Sequence, residues 1–492
     1  METRVGQQTK IRPYKRAACD ERCALGVDVL HLRPGEIRKG HPLASKNKLD
    51  DHPTVAKIRE RGGDQGVVRP TDPLDVSWLR EVCLDAGVDD VGFVEIDRPE
   101  ISDQREELEA ALPGVRTLIS MVTRMNRENI RTPSRSVANL EFHHSGDHIN
   151  DAARQVVRQL EAVGVRALNP AMGFPMEMDK FPAKAWVVSH KPVAVAAGLG
   201  QMGLHRNVIH PKFGSFVLLT TILVDVEVGE VSRPIGYNPC VECKLCVTAC
   251  PTGAISADGH FNFSACYTHN YREFMGGFGD WAEQVVESRD RHDYRSRVTD
   301  QESASMWQSL SFGANYKAAY CMSVCPAGED VLGPWLDDRK AHVDTVVRPL
   351  VDKEETVYVI PDSDAENHVA KTFPNKQTKQ VGQSLRPADI EGLVQGMPLI
   401  FQREKALDMY ATYHLTFTGA ESRQITVDIR DRELEITEGL HGDPDLRISA
   451  DSQTWMRFLS KKSALPWALL RGRIKIHGSP RLLLTFGRLF PS

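Results

Sequence analysis

The sequence lacks any long apolar run. Nothing in its 492 residues approaches the ~20 consecutive apolar residues that a membrane helix requires. The first residues have neither the apolar segment of a signal peptide nor the paired arginines of a twin-arginine signal. A strong charge of either sign is also missing, because the net charge is -5, so composition gives no reason to expect a nucleic-acid partner. These absences predict a cytoplasmic protein without a membrane span.

The composition that remains is typical of soluble globular domains, with 41% hydrophobic and 26% charged residues. At roughly 100 to 200 residues per domain, the length predicts about three domains. Residues 1–70 are basic and are expected to form a loosely packed arm.

Cysteines are concentrated in two segments, each ending in Cys-Pro. The first segment contains Cys240, Cys243, Cys246 and Cys250. The second contains Cys266, Cys321 and Cys325. This spacing is typical of two-cluster ferredoxins, in which the cysteine before each proline binds the other cluster. It predicts two 4Fe-4S clusters within residues 231–350, and the alternatives are a structural zinc site or disulfides.

Periodicity divides the rest of the chain. Residues 71–230 alternate between helical and strand patterns, with a helix start at 71–73 and strands at 91–96, 117–122 and 216–224. Residues 351–385 are charged and turn-rich, which predicts a linker with a short strand at 357–360. In residues 386–492 the apolar residues first alternate with a period of two and later recur at helical spacing. This pattern indicates a small α+β domain built on an antiparallel sheet.

A glycine-rich segment precedes the third strand. Glycines leave backbone amides open to a ligand, and this segment contains Gly198, Gly200, Gly203 and Gly214. The first three match the Gly-x-Gly-x-x-Gly spacing of dinucleotide-binding proteins, but they follow a helix instead of a strand. An ordinary tight turn is the alternative.

The glycine segment, the apolar strand and the two cysteine segments occur in an order that resembles the epoxyqueuosine reductase and reductive dehalogenase superfamily over about residues 75–345. The resemblance implies a nitroreductase-like α/β domain at 71–230 that binds cobalamin, and a ferredoxin-like domain at 231–350 whose inner cluster reduces the cobalt. It further implies that the corrin is contacted by Gly198, Gly200, Gly203, His205, Arg206, Asn207, His210, Gly214 and Ser215.

The C-terminal domain carries a second resemblance. The strings at 445–450 and 472–478 and the final Leu- and Phe-rich helix are similar to the sterol carrier protein-2 (SCP2) family, whose members enclose a lipid tunnel. This implies a lipid-binding domain at 386–492 and a small, apolar substrate. The alternative is a docking domain without a tunnel, because a shared fold does not fix function.

The chain departs from the superfamily pattern at two places. Ala318 stands where a further cysteine is usual. The second cluster is therefore expected to be 3Fe-4S, or 4Fe-4S with an imidazole, a carboxylate or water on its fourth iron. The alternative is that Cys19 or Cys23 of the arm supplies the missing ligand. Residues 186–191 contain no carboxylate, although epoxyqueuosine reductases have an aspartate proton donor shortly before the glycine segment. The epoxide reaction is therefore not implied.

Other polar side chains are candidates for the proton donor. Tyr267 follows the predicted ligand Cys266 directly, and His144 and Asp179 lie in segments predicted to be polar loops. His269 and Tyr271 are further candidates by their position after Cys266. Each could instead be an ordinary solvated residue.

Together these features predict an α+β multidomain protein. Its expected function is a cobalamin-dependent reductase in which two iron-sulfur clusters relay electrons from a ferredoxin or flavodoxin to the corrin. The alternative is an electron-transfer or lipid-binding subunit without corrin chemistry.

Overall fold

The computed structural model describes residues 51–63, 67–181, 185–459 and 470–491. The chain divides into two units, residues 1–66 and 67–492. The described part of the first unit contains helix α1 (Pro53–Glu60). The boundary lies close to the predicted end of the arm at residue 70. It falls earlier because Arg69 pairs with the buried Asp225 of the second unit at 2.9 Å.

Residues 71–230 form an antiparallel sheet with helices on both faces. The helices are α2 (Val76–Asp85), α3 (Arg105–Ala111), α4 (Arg127–Arg131), α5 (Arg135–Ala162) and α6 (His190–Ala196). The strands are β1 (Asp90–Glu95), β2 (Thr117–Arg124), β3 (Ala167–Leu168), β4 (Gln201–Met202), β5 (Val208–Ile209) and β6 (Val217–Val224). The sheet order is β1-β2-β6-β3, and β4 and β5 pair separately as a hairpin.

Two apolar cores lie on opposite faces of this sheet. Successive residues of a strand point to opposite faces, so Ile119 packs with helix α5 while Leu118 packs with helix α6. Burial on both faces explains why β2 and β6 are almost continuously apolar.

The predicted helix start at 71–73 is wrong. Leu74 instead forms a backbone bridge with the far end of the sheet: its amide donates to Glu227 O, and Gly229 N donates to its carbonyl, both at 2.9 Å. Helix α2 begins two residues later, where the Asp75 carboxylate accepts a hydrogen bond from Trp78 N at 2.7 Å.

Residues 231–350 are mainly helical. The helices are α7 (Leu245–Ala249), α8 (Phe263–Asn270), α9 (Met275–Glu287), α10 (Arg291–Arg297), α11 (Asp300–Phe312), α12 (Tyr320–Ser323), α13 (Glu329–Asp337), α14 (Arg339–His342) and α15 (Arg348–Val351). Helices α9 to α11 fill the long interval between Cys266 and Cys321. The two cysteine segments are thereby brought together across an ordered insertion.

The predicted linker at 351–385 is a folded unit. Strands β7 (Thr356–Val359) and β8 (Gln377–Gln380) pair in parallel and are connected by helix α16 (Asp364–Thr372). Val357, Val359 and Val369 are buried in the core that also contains the cysteine segments. The charged residues that suggested a linker instead form internal pairs, such as Lys376 with Glu355 at 2.9 Å.

The C-terminal domain contains a five-stranded sheet. Its elements are α17 (Ile390–Ile400), β9 (Tyr410–Thr418), β10 (Arg423–Arg430), β11 (Glu433–Glu438), β12 (Leu446–Asp451), α18 (Ser452–Leu459), β13 (Ile474–Gly478) and α19 (Pro480–Leu489). The strand order is β11-β10-β9-β12-β13. The prediction of a wholly antiparallel sheet is wrong for one pair, because β12 lies beside β9 on the side away from β10 and runs parallel to it. Throughout the described ranges, no helix is both long and apolar enough to cross a membrane.

The apolar core of this domain includes residues that precede residue 386 in the sequence. Tyr267 of helix α8 is buried in it, and Phe181, Phe263 and Met275 pack against it. Helix α8 therefore belongs to the cysteine-containing region and to the C-terminal core at the same time.

A buried ion pair fixes the junction between the insertion and the folded unit at 351–385. Arg272 Nη2 lies 2.7 Å from Asp280 Oδ2, and both side chains are almost fully buried. Asp280 also accepts a hydrogen bond from Gly382 N at 3.0 Å. The Arg272 guanidinium lies over the Tyr358 ring, 4.8 Å from its centroid.

We expect Asp280→Ala to lower the free energy of unfolding by about 3 to 5 kcal/mol, because the buried Arg272 charge loses its counter-ion. Glu283→Ala on the same helix removes an exposed pair with Arg386 and should cost about 1 kcal/mol or less. Urea unfolding of both variants, followed by circular dichroism, measures the difference. Equal losses would show that the buried pair does not hold this junction.

Candidate metal and cofactor site

Four cysteines surround the start of helix α7. This first cysteine group consists of Cys240, Cys243, Cys246 and Cys325. Burial raises the pKa of the Cys325 thiol to about 12, and the charges of Cys243 and Cys240 raise it further. Burial also raises the pKa of Cys246, with contributions from Cys321 and then from Cys325, Cys243 and Cys240.

The loop that carries the first group turns sharply. Glu242 and Lys244 both have left-handed backbone angles, with φ of 48° and 61°. Cys240 and Cys243 on this loop are half-buried, whereas Cys246 and Cys325 are buried.

Three further cysteines form a second group: Cys250, Cys266 and Cys321. Burial raises the pKa of the Cys266 thiol to about 12, and Cys250 contributes. Burial raises the pKa of Cys321 in the same way, with contributions from Cys266 and Cys250. The two groups adjoin, because Cys246 of the first interacts with Cys321 of the second.

This donor set suits iron-sulfur clusters. Burial raises the pKa of five of the seven thiols, so thiolates at these positions need cationic iron: Cys243, Cys246, Cys266, Cys321 and Cys325. Within the part of the chain that the structure describes, no three His, Cys, Asp or Glu side chains are arranged to hold a single metal ion. A cubane does not need such convergence, because each of its thiolates binds a different iron atom.

The fourth corner of the second group lacks a thiol. Ala318 is buried in the same core as Cys250, and its backbone amide donates to Asn270 Oδ1 at 3.0 Å. The neighbouring His269 ring accepts a hydrogen bond from Tyr358 N at 3.3 Å, on the side of β7. Cys19 and Cys23 lie outside the described residues. The type of the second cluster therefore stays a prediction.

The glycine segment is folded against the chain itself. A Cβ atom at Gly198 would lie 2.3 Å from Arg233 O, and one at Gly214 would lie 2.0 Å from Ala327 O. Both glycines are left-handed, with φ of 73° and 69°. They allow close approach of the protein's own backbone. Similarly, a Cβ at Gly200 would meet Ile209 O at 2.4 Å.

The residues predicted to contact a corrin lie in different surroundings. His210 has no free ring nitrogen: Nε2 lies 3.0 Å from Asp90 Oδ2, and Nδ1 accepts from Lys212 N at 3.1 Å. Ser215 Oγ donates to Met322 O at 3.2 Å, beside the first cysteine group.

The tip of the β4–β5 hairpin, residues 203–207, points toward the second group. Gly203 closes the turn by donating its amide to Asn207 O at 3.0 Å, and Leu204 packs against the core of the cysteines. The buried His205 Nε2 has no hydrogen-bond partner. Burial lowers the pKa of His205 to about 4, so its ring is neutral at pH 7. Arg206 is exposed at the tip.

We use the name recess for five residues that retain solvent-accessible surface: Lys191, Cys266, Tyr271, Tyr316 and Cys321. Lys191 donates hydrogen bonds to the hairpin tip. Burial raises the pKa of Tyr271 and of Tyr316. The Tyr271 and Tyr316 rings meet edge to face at 5.6 Å. Such a recess, lined by thiols, phenols and an ammonium, can bind a ligand beside the second group.

The three proton-donor candidates are not brought together. Tyr267 is buried between the rings of Phe263 and Tyr271, at 5.5 and 5.4 Å. His144 is exposed on α5, and Asp179 is exposed in the turn Met178–Lys180. None of the described contacts joins any two of them. Tyr316 was not predicted from the sequence as a site residue. The one sequence feature that could have indicated it is its position five residues before Cys321.

Comparisons with known proteins cover parts of the chain. The SCP-2 sterol transfer family matches residues 402–491, and the 4Fe-4S binding domain family matches residues 234–256. An epoxyqueuosine reductase of Vibrio cholerae is 30% identical over 128 residues, which are 26% of this chain and 33% of that protein. One from Prochlorococcus marinus is 27% identical over 175 residues, 35% of this chain and 52% of that protein. The chain thus spans about half or less of these relatives.

Solved structures give only weak superpositions. An epoxyqueuosine reductase with a modified tRNA stem loop has a TM-score of 0.32 at 16% identity, covering 61% of this chain and 83% of that chain. A catabolic reductive dehalogenase with 3-bromo-4-hydroxybenzoic acid has a TM-score of 0.33 at 17% identity, covering 55% and 34%.

The sequence matches confirm both resemblances that the motifs predicted. The central region of this chain is similar to the epoxyqueuosine reductases and contains a match to the 4Fe-4S binding domain, and its C-terminal domain is SCP2-like.

Proposed function

We propose that this chain is an iron-sulfur reductase that passes single electrons through its two cysteine groups to a cobalamin bound at the recess. The observation that carries the proposal is the division of the seven cysteines. Cys325 packs with Cys240 in one apolar cluster, whereas Cys321 packs with Cys250 and Cys266 in another. This is the crossed pattern of two-cluster ferredoxins.

Electrons would enter at the first group. Cys240 and Cys243 are half-buried there, and Tyr237 and Val241 beside them are exposed. These exposed side chains give a ferredoxin or flavodoxin a surface on which to dock beside the first group. The adjoining positions of Cys246 and Cys321 support transfer from one group to the next.

The recess fits a cobalamin in the chemistry of its lining. The unpartnered His205 Nε2 and the exposed Arg206 are available to the amide and phosphate groups of such a ligand. A bound corrin supplies a strongly nucleophilic or radical-forming cobalt. The chain contributes binding, orientation and a proton.

Tyr271 and Tyr316 are better placed than Tyr267 to give that proton. Burial raises the pKa of both phenols, so each keeps its proton at pH 7. Their side chains are partly accessible at the recess, whereas Tyr267 is buried in the C-terminal core. A phenol there can act as the general acid that epoxyqueuosine reductases provide with a carboxylate.

The substrate is proposed to be small and apolar. The aromatic rings of Tyr316, Tyr271 and Tyr267 follow one another from the recess into the core of the SCP2-like domain. This continuity supports a route for an apolar molecule between that domain and the recess. The expected absence of a nucleic-acid partner stays a prediction.

The corrin proposal predicts that anaerobically reconstituted protein binds about one cobalamin per chain. Arg206→Gly should weaken binding by about tenfold, or ~1.4 kcal/mol, since glycine tolerates the φ of 60° at this position while the cation is lost. Arg158→Ala on the exposed surface of α5 is the matched control. Titration followed by visible and electron paramagnetic resonance (EPR) spectra measures both. Absence of binding would favour an electron-transfer subunit without corrin chemistry.

The missing fourth thiolate predicts a 3Fe-type signal or a labile fourth iron at the second group. Ala318→Cys should convert it to an ordinary 4Fe-4S signal, because position 318 lies in the core of the cysteines. The double variant Cys19→Ser with Cys23→Ser tests the alternative that the arm supplies the ligand. Two ordinary four-thiolate clusters that survive in that double variant would contradict the assignment.

The apolar substrate predicts that the full chain binds a fluorescent sterol or fatty acyl probe. Tyr267→Ala should weaken binding several-fold, because the loss of this ring leaves a cavity in the core between the SCP2-like domain and the recess. Tyr410→Ala, at an exposed position of the same domain, serves as control. Fluorescence titration measures the affinities, and a full chain that binds neither probe would leave this domain only a docking role.

A further inference from the structure

The turn that follows Cys250 holds a hydroxyl group against the sulfur of this cysteine. Thr252 Oγ1 lies 3.7 Å from Cys250 Sγ, which is close enough for a hydrogen bond to the large sulfur atom. Both residues are buried, with 3% of Thr252 and 8% of Cys250 exposed. A buried hydroxyl needs a hydrogen-bond partner, and the sulfur is the partner that the structure gives to this one.

The backbone of the turn is fixed from two sides. Pro251 occupies its second position, where the ring pre-sets the backbone, and Gly253 N donates to Cys250 O at 3.3 Å. The His368 ring of helix α16 packs against the turn, since a Cβ atom at Gly253 would lie 2.5 Å from His368 Cγ. The folded unit at 351–385 thus confines the turn, and Thr252 is held in place beside the sulfur.

Binding of iron decides which of the two atoms donates. A free thiol can donate or accept a hydrogen bond, so the contact has no fixed direction without a cluster. A thiolate bound to iron carries no proton and can only accept. The Thr252 hydroxyl therefore donates to the Cys250 thiolate once the second cluster is assembled.

Two other hydroxyls close to cysteines direct their protons elsewhere. Thr248 Oγ1, on helix α7 between Cys246 and Cys250, donates to Lys244 O at 3.3 Å. Ser323 Oγ, on helix α12, donates to Ile130 O at 2.7 Å. Both bonds satisfy the backbone, whereas the bond of Thr252 reaches a predicted cluster ligand.

We propose that Thr252 is a positioning residue that donates a hydrogen bond to the Cys250 thiolate and thereby raises the reduction potential of the second cluster. This inference rests on the proposed function only in assigning an iron-sulfur cluster to the second cysteine group. When the first cluster passes one electron to the second, the second gains one negative charge and no covalent bond breaks. Hydrogen bonds to cluster sulfurs help to set the potential, because they strengthen as the sulfur becomes more negative and so stabilise the reduced state.

The test is an anaerobic redox titration of the full, reconstituted chain, followed by EPR. Thr252→Val keeps the shape of the side chain and removes the hydroxyl. We expect it to lower the potential of the second cluster relative to the first by ~30 mV, about a threefold change in the one-electron equilibrium constant at ~59 mV per tenfold. Thr252→Ser keeps the hydroxyl and should keep the wild-type difference. Thr248→Val removes an exposed hydroxyl from the same cysteine segment and should change neither potential.

A Thr252→Val protein with both clusters intact and an unchanged difference in potential would overturn the proposal. A serine variant with the lowered potential of the valine variant would also overturn it, because the methyl group and not the hydroxyl would then set the potential. If Thr252→Val assembles no second cluster, Thr252→Ala takes its place under the same criterion, since it removes the hydroxyl without placing a methyl group against the sulfur. A wild-type chain without a second cluster would count against this inference and the proposed function together, whereas failure to bind cobalamin would count against the proposed function alone.

Discussion

One short helix, Phe263–Asn270, imposes the constraint on which the rest of the structure depends. Neighbouring residues of a helix point in directions about 100° apart, so Cys266 and Tyr267 cannot face the same environment. Cys266 faces the other cysteines, and Tyr267 enters the core of the C-terminal domain. A displacement of this helix would therefore disturb a predicted cluster ligand and the packing of the SCP2-like domain together.

The charge at the second cysteine group depends on one departure from the pattern that the chain resembles. Ala318, where that pattern has a further cysteine, is buried in the same core as Cys250. One thiolate fewer makes a cluster site less negative, and a less negative site accepts an electron more readily.

Sequence reasoning succeeded where one local pattern determines the outcome. The nearly continuous apolar or β-branched run of β6 predicted a strand buried on both faces, because such a strand has few polar positions. It failed where distant contacts decide. The segment at 351–385 has the charge of a linker, but Glu355 and Lys376 neutralise each other inside the fold. The glycines suggested an open ligand cradle, yet Gly198 and Gly214 are needed for contacts with Arg233 and Ala327, which no local pattern reveals.

The boundary of the C-terminal domain illustrates the same limit. Periodicity places the start of the domain near residue 386, and the family match places it at residue 402, because both depend on contiguous sequence. Its core also requires Tyr267, with Phe181 and Phe263 packed around it, from more than 100 residues upstream. A fragment that begins at residue 386 would expose the apolar surface that these rings cover, at roughly 25 cal/mol for each Å². The folded core of the domain thus depends on residues that precede it in sequence, and a ligand that entered this core would have to displace or accommodate residues attached directly to the second cysteine group.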